Sequence, residues 1–275
     1  MSARELWRIL EPVHGMIYFA PEATERYVAL GLHRASGYFA SRAAALGAVP
    51  AEVVVATFYN FNPVLVHAAI PAAWEKTTPA ALLAARLDAA DRALRRGLGD
   101  LVHEVSELAG LVRIAAERAC ESVLGRPLFA AHAALPWPDE PHLVLWHAQT
   151  LLREYRGDGH LAALLLDGVT GIEALVLHSA SDEVAAEALR VSRGWSTEAW
   201  AEAVEGLRAR DLVDAEGVLT AAGREFRGRI EERTDVMAEG AWAALGEDKR
   251  ARYVELARPL SRAVVAAGMI PFAKR

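Results

Sequence analysis

The chain has 275 residues, 53% hydrophobic and 24% charged with a net charge of −6, so it can bury a substantial core and is not a disordered segment. No apolar run approaches the ~20 residues that cross a bilayer, and MSARELWRIL lacks the basic-then-apolar layout of a secretory leader. The single cysteine, Cys120, allows no internal disulfide, fits a reducing cytoplasm and reads as a small core residue.

In chain order, residues 3–11 read as a helix that continues through His14 and Tyr18, which lie four apart and so share one face. Pro21, with Glu22 and Glu25, opens a second helix. GYFASRAAALG gives a short helix closed by Gly47, and Pro50 starts another, PAEVVVATFY. Asn62-Pro63 is an N-cap followed by a first-turn proline, opening NPVLVHAAI. Thr77, Thr78 and Pro79 begin a long amphipathic helix, and a second long helix covers 100–124. Residues 125–142 hold Pro127, Pro136, Pro138 and Pro141, a density that reads as a linker. Helical pattern resumes at Leu143, with GDG at 157–159 read as a turn and His160 as a surface residue at a helix start.

From there the order of elements recurs. With Gly37 set on Gly171, GYFASRAAALG lies on GIEALVLHSAS, AEVVVATF on AAEALRVS, and Asn62-Pro63 on Ser196-Thr197. Further on, SELAGLVRIAAERA resembles VELARPLSRAVVAAG. The expected organisation is a degenerate winged-helix copy at 1–125, a linker at 126–142 and a clearer copy at 143–275.

In the clearer copy, 183–190 gives a helix, Ser196 caps STEAWAEAVEGLRARDL, and LVDAEGVLT reads as two short strands around an Ala215-Glu216-Gly217 turn before the helix that starts at Ala221. The run GLRARDLVD…GVLTAAGREFRGRIEERTD resembles the MarR family over roughly 60 residues. That resemblance implies a mainly α fold, here a tandem winged helix-turn-helix pseudo-dimer with small two-stranded wings. Two-copy chains of this kind occur among actinobacterial helix-turn-helix proteins, and the sequence is similar to them.

The chemistry argues against DNA as the partner. A recognition helix must meet phosphates with Lys or Arg and bases with Arg, Lys, Asn or Gln. The helix after Ser196 instead carries Glu198, Glu202 and Glu205 ahead of Arg208 and Arg210. Between 182 and 235 stand eight arginines and thirteen acids, and the wing tip is Asp214 to Gly217 where a MarR-like wing carries an arginine. Arg190, Arg193, Arg224 and Arg227 remain able to touch phosphate. The first-copy helix has no positive charge over NPVLVHAAI, so it needs a cover: the linker, the other copy, or a second subunit in a homodimer.

No HExxH, CxxC, HxH, GxSxG or phosphate-binding glycine loop is present, so no metal site is expected; a single-histidine haem site stays open and the cofactor is unknown. What remains is a set of polar residues in apolar surroundings. His14 and His67 are the candidate proton-transfer residues. Tyr18, Tyr38, Phe58, Tyr59, Asn60, Asn62 and Trp74 are the candidate ligand-binding residues. The competing reading makes Asn62 a helix cap and Phe58 and Phe61 core. Three functions follow: a cytoplasmic protein that has lost DNA reading and binds a small apolar or aromatic molecule, an enzyme of specialised metabolism being one form of it; a ligand-responsive regulator that binds DNA; or a structural interaction module.

Overall fold

The structure, a computed structural model, describes residues 1–181 and 184–271. It is mainly helical: α1 (Ala3–Gly15), α2 (Pro21–Ala29), α3 (Arg34–Ala43), α4 (Ala51–Thr57), α5 (Pro63–Lys76), α6 (Pro79–Leu98), α7 (Ser106–Cys120), α8 (Pro127–Ala133), α9 (Pro141–Leu166), α10 (Gly171–Ser179), α11 (Ala186–Ser192), α12 (Thr197–Ala209), α13 (Ala221–Trp242) and α14 (Glu247–Ala266). Single 3-10 turns follow α1, α3 and α6. Helix starts are fixed by local chemistry. Ser2 and Thr170 form capping boxes with Glu5 and Glu173. Asn62, Thr78, Ser196 and Thr220 each accept a first-turn amide. No single helix among the described residues is long and apolar enough to cross a membrane.

Several expectations are corrected. The expected first helix ends at Gly15, and Tyr18 lies on the following 3-10 turn. Pro71 does not break α5, which runs on to Lys76 because buried Ile70 and Ala73 pin it on both sides. The expected helix over 100–124 is a 3-10 turn followed by α7. The proline-rich linker contains α8, with Leu128, Phe129 and His132 buried. The GDG turn does not form either. Both glycines lie inside α9, a 26-residue helix buried along most of its length, and that burial offsets the cost of about 1 kcal/mol per helical glycine. His160 is accordingly mid-helix and hydrogen-bonds Thr234 (3.0 Å). The helix expected over 183–190 begins at Ala186, and Glu183 lies outside the described residues.

Among the described residues the two-stranded wing shrinks to one antiparallel bridge, Val213 to Leu219. The Asp214 carboxylate accepts the Glu216 and Val218 amides (3.0 and 2.9 Å), so a tight side-chain-stabilised turn forms where a ladder would grow. Asp211, at φ 57°, bends the chain just before it. No wing follows α5, since Thr78 caps α6 two residues after α5 ends.

Helix α9 is the spine and touches α1, α6, α7, α8 and α13. The larger hydrophobic cluster joins α1–α9 to the end of α13 and to α14. A smaller one joins the end of α9, α10, α12 and the start of α13. The contacts come in matched sets. Helix α5 packs on α3, as α12 packs on α10; α7 pairs with α9, as α14 pairs with α1; and α6 meets α14, as α13 meets α7.

The unit α3–α5 and the unit α10–α12 are clasped directly. The Asn62 amide donates to Arg193 O (2.9 Å) and its side-chain amide to Gly194 O (3.0 Å). The Trp195 indole donates to Asn60 O (2.9 Å), and the Tyr59 hydroxyl to Val169 O (2.5 Å). Two glycines permit this closeness. Gly194 sits at φ +74° against Leu65, and a Cβ on Gly171 would lie 1.9 Å from Tyr59 O. Gly171→Ala is therefore expected to destabilise the protein by about 2 kcal/mol or more. Gly110→Ala, in open space inside α7, is expected to stabilise by about 0.4–1 kcal/mol. Urea melts of the two variants check the contrast, and equal effects would contradict the clasp.

Candidate functional site

The end of α1 and the 3-10 turn after it bring His14 and Tyr18 against α3 and α9. His14 is fully buried and stacks on Trp146, ring centroids 5.5 Å apart. Its two nitrogens are both engaged, Nδ1 with Thr150 Oγ1 (3.0 Å) and Nε2 with Tyr18 Oη (2.9 Å). The Thr150 hydroxyl has one proton and donates it to Trp146 O (2.8 Å). Thr150 must therefore accept from His14 Nδ1–H, which leaves Nε2 to accept from the Tyr18 hydroxyl. The chain of donors runs Tyr18, His14, Thr150, Trp146 O, with the imidazole neutral. Burial, then Arg153, Arg86 and Arg42, hold its pKa well below the ordinary histidine value.

Around Tyr18 stand three guanidinium groups, Arg42, Arg86 and Arg153, 5.4–5.8 Å from its ring centroid. Arg42 also donates to Tyr38 Oη (2.9 Å) and covers the Phe58 ring at 4.3 Å. Burial pushes the Tyr38 phenol up, but Arg42, Arg193 and Arg153 together pull it below its ordinary value. Glu154, 5% exposed, pairs with Arg153 (3.0 Å) and Arg42 (3.6 Å). Burial opposes its charge, yet Arg153 and Arg42 hold its carboxyl at about 2. Arg153 also binds Glu11 (3.0 Å).

Arg86 is different. It is 4% exposed, Nη1 is buried without a hydrogen-bond partner, and among the described residues no carboxylate pairs with it. It lines a cavity of about 310 Å³. Leu83 and Leu87 of α6, Leu135, Pro136 and Pro138 of the former linker, and Trp146, His147 and Thr150 of α9 supply the walls, with His132. Trp137 fixes the proline-rich wall by packing edge-on against His147 (4.8 Å), with Arg113 over its ring at 4.5 Å. Burial lowers His132 and His147 to about 4, so both line the cavity as neutral imidazoles. The volume is at the small end of the range for ligand pockets, and apolar walls with few polar groups are typical of them. No group of three or more His, Cys, Asp or Glu that could hold a metal ion occurs among the described residues.

The candidate residues thus divide. His14, Tyr18, Tyr38 and Phe58 converge on the arginine cluster. Tyr59, Asn60 and Asn62 form the clasp, and Asn62 also caps α5 through Val64 N (3.0 Å). Trp74 hydrogen-bonds Val49 O (2.9 Å) under α4 and α5. His67 is exposed on α5 and joins none of these. Arg42, Arg86, Arg153 and the cavity wall were not anticipated. One signal was available: Arg86 interrupts the apolar stripe Leu82, Ala89, Ala90, Ala93 on the buried face of α6.

The surface that would meet DNA is acidic and self-paired. Glu198, Glu202 and Glu205 are exposed on α12. Arg190 pairs with Glu187 (2.8 Å), Arg208 with Glu205 (2.5 Å), and Arg224 binds Leu219 O (2.6 Å). Arg193 turns inward over Phe61 (4.7 Å). The clasp places the starts of α5 and α12 against each other, whereas paired recognition helices read half-sites about 34 Å apart.

A family model described as a helix-turn-helix family matches residues 3–271. No curated protein and no solved structure matches the chain.

Two measurements check this site. Tyr18→Phe leaves His14 Nε2 buried without a donor and is expected to cost about 1–3 kcal/mol in a urea melt. An unchanged midpoint would contradict the Tyr18-to-His14 donation. His14, His132, His147 and His160 are held neutral in the fold by burial, the last three at about 4, while unfolded histidines protonate near about 6.5. Their contribution is complete above that value and is lost as pH falls toward about 4. Asp158, raised to about 6 by burial, runs the opposite way and is outnumbered. The urea midpoint is expected to fall from about pH 7.5 to about pH 5, and His132→Gln to remove about one proton from the uptake on unfolding. A midpoint that rises on acidification would contradict the buried neutral imidazoles.

Proposed function

We propose a ligand-binding role for this chain, which belongs to the helix-turn-helix family. It holds a small, mostly apolar molecule in the cavity between α6, α9 and the proline-rich wall, on a scaffold that no longer reads DNA with paired recognition helices. The observation that carries this reading is the cavity itself, with its apolar walls and the few polar groups Arg86, Thr150, His132 and His147. Its position differs from the one expected beside Tyr59–His67. Of those residues, Tyr59, Asn60 and Asn62 serve the clasp, Phe61 and Val66 are core and His67 faces solvent, while Thr150 joins the cavity to His14 and Tyr18.

His14 acts here as a positioning residue rather than a proton-transfer group. Both its nitrogens are occupied by protein partners and it is fully buried. A ligand against Thr150 and Trp146 would press on the stack that orients α1 against α9, giving the cavity a route to the paired helices α1 and α14.

The scaffold is read as a MarR-like tandem duplication. The matched helix pairings support it, as does the capping of α5 by Asn62 and of α12 by Ser196 at aligned positions. The clasp then joins two former DNA-binding units, and the uncharged start of α5 meets its own other half. The family match favours a second reading, a ligand-responsive DNA-binding regulator. In that case ligand binding would have to release the clasp.

Two experiments test these readings. Titration with the neutral fluorescent probe N-phenyl-1-naphthylamine is expected to show saturable, blue-shifted emission that Leu83→Trp abolishes without changing the helical circular dichroism. No saturable signal, or one unaffected by Leu83→Trp, would contradict binding in this cavity. Mobility shifts at low salt with mixed DNA fragments are expected to show no discrete complex. A salt-sensitive complex lost on replacing Arg190 and Arg193 would establish the regulator reading instead.

A further inference from the structure

The buried arginines near the cavity do not balance. Glu154 is shared by Arg42 and Arg153, and Glu11 adds a second carboxylate to Arg153. Two carboxylates thus face three guanidinium groups, and Arg86 is the one left over. It does touch two ring faces, Trp146 at 5.4 Å and Tyr18 at 5.8 Å. Those faces attract a cation but do not take up the full set of N–H donors, and Nη1 stays buried and unpartnered. A buried charge without a counter-charge is costly, and such groups in native proteins are paired or face a ligand. Arg86 is also a wall residue of the apolar cavity between α6 and α9.

The remaining polar wall adds no charge. His132 and His147 are neutral near pH 7, and Thr150 is committed to His14 and Trp146 O. His147 Nε2 and Trp146 Nε1 are buried without partners on the same wall. The surplus is therefore one positive charge among neutral donors, facing leucine and proline side chains.

We infer that the cavity takes an organic monoanion, a carboxylate set against Arg86 with an apolar body along Leu83, Leu87, Leu135, Pro136 and Pro138. This rests on the reading that the cavity binds a small molecule, and it adds the ligand's charge and the group that recognises it. A phosphate ester would bring a second negative charge with no second cation on the wall to meet it, so a carboxylic acid fits better than a phosphate.

Calorimetric titration of the full chain with octanoate, octan-1-ol and octyl phosphate separates the possibilities, because the three share one apolar body and differ in head group. Octanoate is expected to bind at least about tenfold more tightly than octan-1-ol and more tightly than octyl phosphate. In Arg86→Met, octanoate is expected to fall to the level of octan-1-ol, with octan-1-ol binding retained. Equal binding of octanoate and octan-1-ol by the unaltered protein overturns the anion assignment while leaving an apolar cavity in place. Tighter binding of octyl phosphate overturns the choice of a monoanion. Binding of none of the three overturns both the assignment and the cavity reading beneath it. The comparison in the unaltered protein decides the point even where Arg86→Met fails to fold.

Discussion

The loop Asn60–Asn62 gives an amide and a side chain to Arg193 and Gly194 and receives the Trp195 indole, and the placement of α3–α5 against α10–α12 follows from that exchange. Each bond is worth only about 0.5–1.5 kcal/mol net, but their removal would also expose Phe61, Leu65 and the ring of Tyr59, which packs against the smaller core. The clasp explains why α5 can be apolar on most sides without becoming an aggregation surface. It also brings together the two helix starts that a paired DNA reader would hold a helical turn of DNA apart.

Behind the clasp, α9 carries the polar interior. Thr150, Arg153 and Glu154 lie on consecutive turns of one helix, and each organises a partner from elsewhere: His14, Glu11 and Arg42. The result is a buried ion network whose charges are nearly matched, with Arg86 left facing the cavity. Such networks are poor sources of stability but define geometry well when their members are satisfied. Arg42 Nε and Glu11 Oε2 are buried without partners too, but among the three guanidinium groups Arg86 is the one with no carboxylate, and it stands where a ligand would enter.

Local chemistry was legible in the sequence and tertiary placement was not. Asn62-Pro63, Thr78-Pro79, Ser196 and Thr220 announce helix starts because a cap is an interaction within four residues. The convergence of His14 with Tyr18 was legible for the same reason. Gly157 and Gly159 gave a false turn, because what keeps α9 helical there is burial against α13 and Arg126. The exposure of His67 was hidden by α5 itself, whose apolar residues run round most of the helix and so give no phase. The proline-rich wall was hidden because prolines signal the absence of regular structure equally in a linker and in a packed wall. Arg42, Arg86 and Arg153 come from three distant helices, and only Arg86 left a trace, as a charge within a buried stripe.

The distance between α5 and α12 tests the central claim most directly. His67 and Ala201 are both exposed, and each lies five residues past the cap of its helix, α5 or α12. Spin labels on His67→Cys and Ala201→Cys, in a Cys120→Ser background, report that distance by pulsed electron resonance on the full chain. The clasp predicts one short, narrow distance that does not change when DNA is added. A population near the ~34 Å spacing of paired major-groove readers, present alone or induced by DNA, would contradict it.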